Sequence, residues 1–432
     1  MNTKIYTVLF LLFIPFMLSA QQLWTLEQCV DSALENNRKV KQQSIAAQSQ
    51  AIAYDQARKD LLPNLNASAG QNFSFGRTQV DYDRYENVNS QNTSFGVSAN
   101  ITLFNGLRMK HTIDARRADL HASEADLEKM KSDITISVTS AFLQVLMNKE
   151  LLQTANEQLA LTQSKLERQQ ALVENGKLAE GELYELIAQQ AKEELNRIQA
   201  DNALQLSLLD LAQILELDDF SAFDVVMPDN LEDKDLAALS AESVYASALT
   251  HRPEIKAAEY RLESSEKSVS IARAGYFPSL TLGGSVGTRY FHPSVMEQNF
   301  GTQLENNFNS GIGLNLNIPI FNKFEVKNRV RSARLDVESS KLAIEDVKLE
   351  LRKTIQQAYQ NAVAAKARWE AADKSEKAAL EAYRFASQKY EAGRASQYEL
   401  FQAKNNLTQV LSEQTQAKFE YIFRIRILEI LQ

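Results

Sequence analysis

The chain has little of what turns or cross-links a compact domain. Its one cysteine, Cys29, cannot close an internal disulfide and reads as a small apolar core residue. Only 14 glycines and 7 prolines occur in 432 residues, which leaves few turns and predicts long helices. The four histidines, His111, His121, His251 and His292, fall in no HExxH or related ligand spacing, and there is no glycine-rich phosphate loop. Neither an enzyme site nor a resident metal or cofactor is therefore expected. The formal charge of −8, or −9 once Lys4 is removed, argues against nucleic acid as a partner. Beyond residue 20 no segment has the length and polarity of a membrane-spanning helix, so insertion into a bilayer would have to use strands.

What is present begins with residues 1–20. Lys4 is their sole charge, an apolar run from Val8 to Leu18 is interrupted by Pro15, and Leu18-Ser19-Ala20 supplies a small-residue ending. This reads as a secretory signal, cleaved before Gln21. Gln21 stands where a lipid-bearing cysteine would be needed, so no lipid anchor is expected.

The remainder reads as one unit written twice. Ala57-Arg58-Lys59-Asp60-Leu61-Leu62-Pro63-Asn64-Leu65 aligns with Ala272-Arg273-Ala274-Gly275-Tyr276-Phe277-Pro278-Ser279-Leu280 at an offset of 215. Ile101 to Asn105 matches Ile318 to Asn322 at 217, and Gly176 matches Gly393. The expected division is a signal over 1–20, a first repeat over 21–216, an acidic linker over 217–239 and a second repeat over 240–432. Asp218, Asp219, Asp224, Asp229, Glu232, Asp233 and Asp235 in the linker fit no EF-hand spacing.

Each repeat changes period in the same order. Leu26 to Asp60 is Ala-rich and free of glycine and proline, and Thr25 with Gln28 gives it a capping box. After Pro63 the pattern alternates: Leu65, Ala67, Ala69, Phe73 and Phe75 on one face, Asn66, Ser68, Gly70, Asn72 and Ser74 on the other. A polar stretch, Arg77 to Asn92, leads to a second alternating run at Phe95, Val97, Ala99, Ile101 and Leu103. The second repeat does the same with Leu280, Leu282, Val286 and Tyr290, then Ile312, Leu314, Leu316, Ile318 and Ile320. One β-hairpin per repeat is predicted, over 64–104 and 279–321.

These strands have the length a tilted strand needs to cross a bilayer. The second face carries Asn, Ser, Thr and Gly, as a wet lumen would, and Phe104, Tyr276, Phe277 and Phe321 gather where strand meets helix as an interfacial girdle. Four strands cannot close a barrel, for which about eight is the minimum. An open edge in lipid would strand backbone polar groups, so two or more copies must assemble.

From about Asn105 to Glu174 and from Asn322 to Glu391, only Gly106 interrupts the helical composition. About 70 residues at 1.5 Å each reach roughly 105 Å. Leu120, Leu127, Ile134 and Ala141, and likewise Val337, Ile344, Leu351 and Ala358, recur every seven positions as a coiled-coil seam. Each run stops at one glycine, Gly176 or Gly393, and turns back, giving helical hairpin tips over 174–182 and 391–396. Ser396 and Glu399 form a capping-box pair for the return helix.

Helix, hairpin, long helix, tip and return helix, repeated twice behind a signal segment, resembles the TolC family of outer-membrane channel proteins over essentially residues 24–432. Tyr390-Glu391-Ala392-Gly393 matches the family's Tyr-x-x-Gly turn, whereas the first tip has Val173 in place of the tyrosine. The resemblance implies a mainly α fold, a coiled-coil α-barrel below four strands per protomer, which join a twelve-stranded β-barrel shared by a homotrimer in outer-membrane lipid. It further implies a passive conduit through the periplasm and outer membrane of a Gram-negative bacterium, opened by a periplasmic adaptor protein that links it to an inner-membrane pump. Gly176, Lys177 and Leu178 with Gly393, Arg394 and Ala395 would meet the adaptor, and Glu182, Tyr390 and Glu399 would form the periplasmic gate. Departures from the family pattern flank both tip glycines: Asn175 and Ala392 before, Lys177 and Arg394 after. A type I protein-secretion duct and a periplasmic coiled-coil scaffold are the competing readings.

Overall fold

The computed structural model describes residues 22–87, 89–177, 179–219, 222–227, 236, 240–292 and 298–432. The signal segment and most of the acidic linker lie outside them. In chain order the elements are β1 (Gln22–Trp24), α1 (Leu26–Asn36), α2 (Arg38–Lys59), β2 (Asn64–Ser74), β3 (Arg77–Asp81), β4 (Arg84–Asn87), β5 (Ser90–Phe104), α3 (Arg108–Glu174) and α4 (Glu180–Leu215). There follow β6 (Phe223–Val225), α5 (Ala241–His251), α6 (Pro253–Ala274), β7 (Ser279–His292), α7 (Phe300–Asn306), β8 (Asn309–Asn317), α8 (Glu325–Glu391) and α9 (Gln397–Leu431).

Two compact units divide the chain: one gathers residues up to Lys41, Met130–Ala248 and Arg352–Gln432, the other Gln42–Lys129 and Leu249–Leu351. In the first, Thr25 forms the expected capping box with Gln28. The uninterrupted helix expected from Leu26 to Asp60 is broken at Asn37. The Asn37 side chain is buried, donates to the Ile214 carbonyl at 3.0 Å and accepts from the Lys39 amide at 2.9 Å. A buried amide that caps one helix and ties down another outcompetes helix continuation. The apolar core of this unit includes Val138, Phe142 and Leu146 of α3, Leu211 and Leu215 of α4, Ile355 of α8, and Ile425 and Leu428 of α9. Phe142 is fully buried and Tyr359 packs on the Ala362–Ile425–Leu428 cluster. Of the seam positions, Ile134, Ile344 and Leu351 are buried and the other five half-buried.

The second unit holds a four-stranded antiparallel sheet in the order β2-β5-β7-β8. Its register keeps like with like: Asn66, Ser98, Ser285 and Gly311 form one row, and Leu65, Ala99, Gly284 and Ile312 the next. The apolar face is uncovered, with Leu65, Ile312 and Leu314 each about two-thirds exposed or more (74, 81 and 67%). β8 ends at Asn317, short of the alternation that runs to Ile320, because Pro319 has no amide hydrogen to give the ladder. The polar stretch after Arg77 forms its own small hairpin, β3 with β4.

Beyond the Gly287–Asn309 pair, α7 takes the place of a fourth strand beside β7. Gln303 accepts from the Phe291 amide at 3.0 Å, and Asn307 donates to the Arg289 carbonyl at 2.8 Å. A helix that satisfies the open edge removes a site for stray strand pairing. Aromatic residues mark both ends of the sheet. Phe104, Tyr276, Phe277 and Phe321 are all exposed at the helix end, with Phe321 edge-on to Phe324. Phe73, Phe75 and Phe308 are exposed at the loop end, where Tyr290 packs against Phe300.

Strand passes to helix through left-handed backbone at Gly106-Leu107 and again at Lys323-Phe324. A side chain at Gly106 would lie 2.8 Å from the Ala274 carbonyl oxygen, so only glycine fits there. No helix among the described residues is long and apolar enough to cross a membrane.

Candidate functional site at the helical tips

Both tips are built by the same backbone device. At the first, the Lys177 amide donates to the Leu172 carbonyl and the Gly176 amide to that of Val173, each at 2.8 Å. At the second, Arg394 donates to Lys389 at 2.8 Å and Gly393 to Tyr390 at 2.9 Å. These are Schellman stops, and both glycines hold φ at +66°. Apart from the glycine and its two chain neighbours, no atom of the described residues lies within 4 Å of where a Cβ would stand at either position, so the tips present bare backbone. Lys177 and Arg394 are exposed, Ala395 is half-buried, and Leu178 lies outside the described residues.

Behind the tips, Tyr390 of α8 joins the two hairpins. Its hydroxyl donates to Glu182 Oε2 at 3.1 Å and accepts from Gln169 Nε2 at 2.9 Å. Burial, and then the Glu182 carboxylate, push the Tyr390 phenol up to about 12. It therefore stays protonated and keeps donating at any physiological pH. Gln397 adds a bond from Nε2 to the Glu182 carbonyl at 2.9 Å. Glu399 is not drawn into this contact. It is exposed, its amide is capped by Ser396 Oγ at 3.2 Å, and its carboxylate has no bond among the described residues. Of the three expected gate residues, the structure brings Glu182 and Tyr390 together and leaves Glu399 apart.

A second polar cluster, further from the tips, was missed in the sequence. Lys404 and Glu193 are both buried, and Lys404 Nζ lies 2.7 Å from Glu193 Oε1. The ammonium also donates to Thr162 Oγ1 and to the Gln158 carbonyl, so it ties α9 to both α3 and α4. Burial depresses the Lys404 ammonium below its ordinary range, and Glu193 opposes that shift. The signal was there: Lys404 falls in the i, i+4, i+7 frame of Leu400 and Leu407, a core position. Between this cluster and the tips, Lys165 Nζ donates to the Tyr383 hydroxyl at 2.7 Å and sits over its ring.

Comparison with known proteins identifies the family and the fold. The family model described as Outer membrane efflux protein matches residues 29–216 and 244–422. A curated relative, the probable outer membrane lipoprotein SilC of Salmonella typhimurium, is 25% identical over 72% of this chain, but the match spans only 64% of that protein. Among solved structures, the Campylobacter jejuni CmeC outer membrane channel superposes with a TM-score of 0.79 at 20% identity, covering 94% of this chain and 85% of that one. The outer membrane protein VceC of Vibrio cholerae gives 0.77 at 17% identity, covering 94% and 95%. At these identities the solved structures share the fold.

Proposed function

Because this chain belongs to the outer membrane efflux protein family, we propose that it is the outer-membrane channel of a tripartite efflux pump, a passive conduit for small molecules across periplasm and outer membrane. In this reading three copies pool their sheets into a barrel of twelve strands, and the helices continue it as a periplasmic tunnel. A cleaved signal directs the chain to the outer membrane without a lipid anchor. The two repeats each supply one β-hairpin and one tip, and the acidic linker joins them.

The observation that carries the reading is the sheet itself: among the described residues β2 and β8 are its outer strands with no strand beyond them, and its mainly apolar face leaves Leu65, Ile312 and Leu314 exposed. In lipid, free edges are intolerable and a bare apolar face is favourable. A second feature supports assembly. Leu335, Leu342 and Leu349 of α8 repeat every seven residues yet are 71, 62 and 64% exposed, a coiled-coil stripe that another copy would cover.

At the periplasmic end, Glu182 and Tyr390 hold the entrance closed, and the exposed Glu399 carboxylates add a cation-attracting ring. An adaptor reads the bare backbone and flanking cations at Gly176-Lys177-Leu178 and Gly393-Arg394-Ala395, and couples the duct to an inner-membrane pump. The test is conductance of the purified mature protein in planar bilayers, with and without substitution of Tyr390. Stepwise currents that grow when the Tyr390 hydroxyl is lost are expected; protein that inserts no conducting unit would refute the channel.

A further inference from the structure

Charge is almost absent from the four-stranded sheet. Along β2, β5, β7 and β8, Arg289 is the only Asp, Glu, Lys or Arg. The register puts it on the polar face, in the row Gly70, Ser94, Arg289. That face is Asn, Ser and Gly throughout β2 and β8, so no strand residue neutralises the guanidinium or adds to it. Arg289 is exposed and has no ion pair or side-chain hydrogen bond among the described residues. Its row neighbours, Gly70 and Ser94, are too small to cover it.

Phe291 stands two positions on, on the same face and about 7 Å further along the strand. It is exposed, an aromatic ring on a face that, Arg289 apart, is Ser, Thr and Gly along the rest of β7. The backbone of both residues is held by α7. Asn307 Nδ2 donates to the Arg289 carbonyl at 2.8 Å, and the Phe291 amide donates to Gln303 Oε1 at 3.0 Å. Gln303 is itself buried, with its Nε2 tied to the Gln298 carbonyl at 3.0 Å. An unpaired guanidinium on a fixed strand beside an exposed ring suits an anion with an apolar body. The guanidinium takes the carboxylate or sulfonate, and the ring covers the rest.

We infer that Arg289 and Phe291 form a subsite for organic anions at the loop end of the barrel, which makes amphiphilic carboxylates and sulfonates the solute class favoured there. The inference rests on the channel reading, in which the polar face lines the lumen and one Arg289 from each copy makes a ring. Twelve strands about 4.8 Å apart and tilted about 40° enclose a cylinder roughly 24 Å across. The screening length is about 30 Å in 0.01 M salt, wider than that cylinder, and about 3 Å in 1 M. A ring of charge in a neutral wall therefore acts across the lumen at low salt and only at the wall at high salt.

The experiment measures block of the Tyr390→Phe channel in planar bilayers at about 0.01 M salt. The probes are naphthalene-1-sulfonate and inorganic sulfate. Arg289→Gln is expected to weaken block by both anions roughly two- to fivefold, the range of an exposed ion pair, and Arg289→Lys to restore block by sulfate. Phe291→Ser should weaken block by naphthalene-1-sulfonate and leave block by sulfate unchanged. Both side chains are exposed, so each variant should assemble as the parent does. Unchanged block by either anion in Arg289→Gln would overturn the inference, as would a Phe291→Ser channel that loses block by both anions or by neither. A difference at Arg289 that persists in 1 M salt would come from shape rather than charge and would overturn it too. Protein that inserts without conducting would instead refute the channel reading.

Discussion

Gly176 and Gly393 close their helices with the same φ of +66° and the same pair of backbone hydrogen bonds, one at each tip. Neither has room restricted by neighbours, so what glycine supplies is the left-handed backbone alone.

Gly393→Ala should therefore cost about 1–2 kcal/mol locally, the penalty of an L-residue in that region, and lower export while leaving assembly intact. Gly393→Pro should abolish export, because its φ cannot become positive. Export assays beside oligomer analysis on gels check both. Normal export by the proline variant would show that this tip is not where the adaptor docks.

Tyr390→Phe removes two hydrogen bonds, each worth about 1 kcal/mol net, and should raise the open probability several-fold in bilayer recordings. The Tyr390 contact also has a pH signature. Its pKa is raised from 10.0 to about 12 in the folded chain, so its contribution is complete below about pH 10 and is lost as pH rises through 12. Between pH 6 and 9 the closed tip should be insensitive to titration of this group.

If Glu399 lines the proposed conduit, Glu399→Gln should weaken block by divalent cations, since the carboxylate is exposed and has no bond among the described residues. Block titrations with a divalent cation in planar bilayers measure it; unchanged block would remove Glu399 from the conduction path.

Leu342→Glu targets the exposed stripe of α8. Covering a leucine contributes about 1.5–3 kcal/mol, and an ionised side chain in its place opposes burial, so the variant should accumulate as monomer while the wild type assembles. Size analysis in detergent reads this directly. Full assembly of the variant would mean another surface forms the contact.

Much of this was legible in the sequence because it is local. Thr25 with Gln28 fixes a helix start, Gly176 and Gly393 fix two stops, and period-two alternation from Leu65 and from Leu280 fixes the strands and their faces. The features that were hidden depend on partners distant in the chain. Asn37 breaks a helix because its side chain finds the Ile214 carbonyl, and no local propensity announces that. α7 stands beside β7 because β8 begins only at Asn309 and leaves the β7 edge beyond Gly287 to be satisfied. Lys404 stands in the core frame of Leu400 and Leu407, but the partners that make it part of a site, Thr162 and Glu193, are brought around it from α3 and α4. Of the expected gate, Glu182 and Tyr390 were found by family pattern rather than by physics, since neither residue alone signals a contact between hairpins.

The most direct measurement is the mass of the purified mature protein released from detergent in the gas phase. Two short hairpins per polypeptide cannot seal a cylinder, so the chain should appear as a complex of several copies, three in the proposed assembly, that requires detergent to stay in solution. A stable monomer that remains soluble with detergent removed would contradict it.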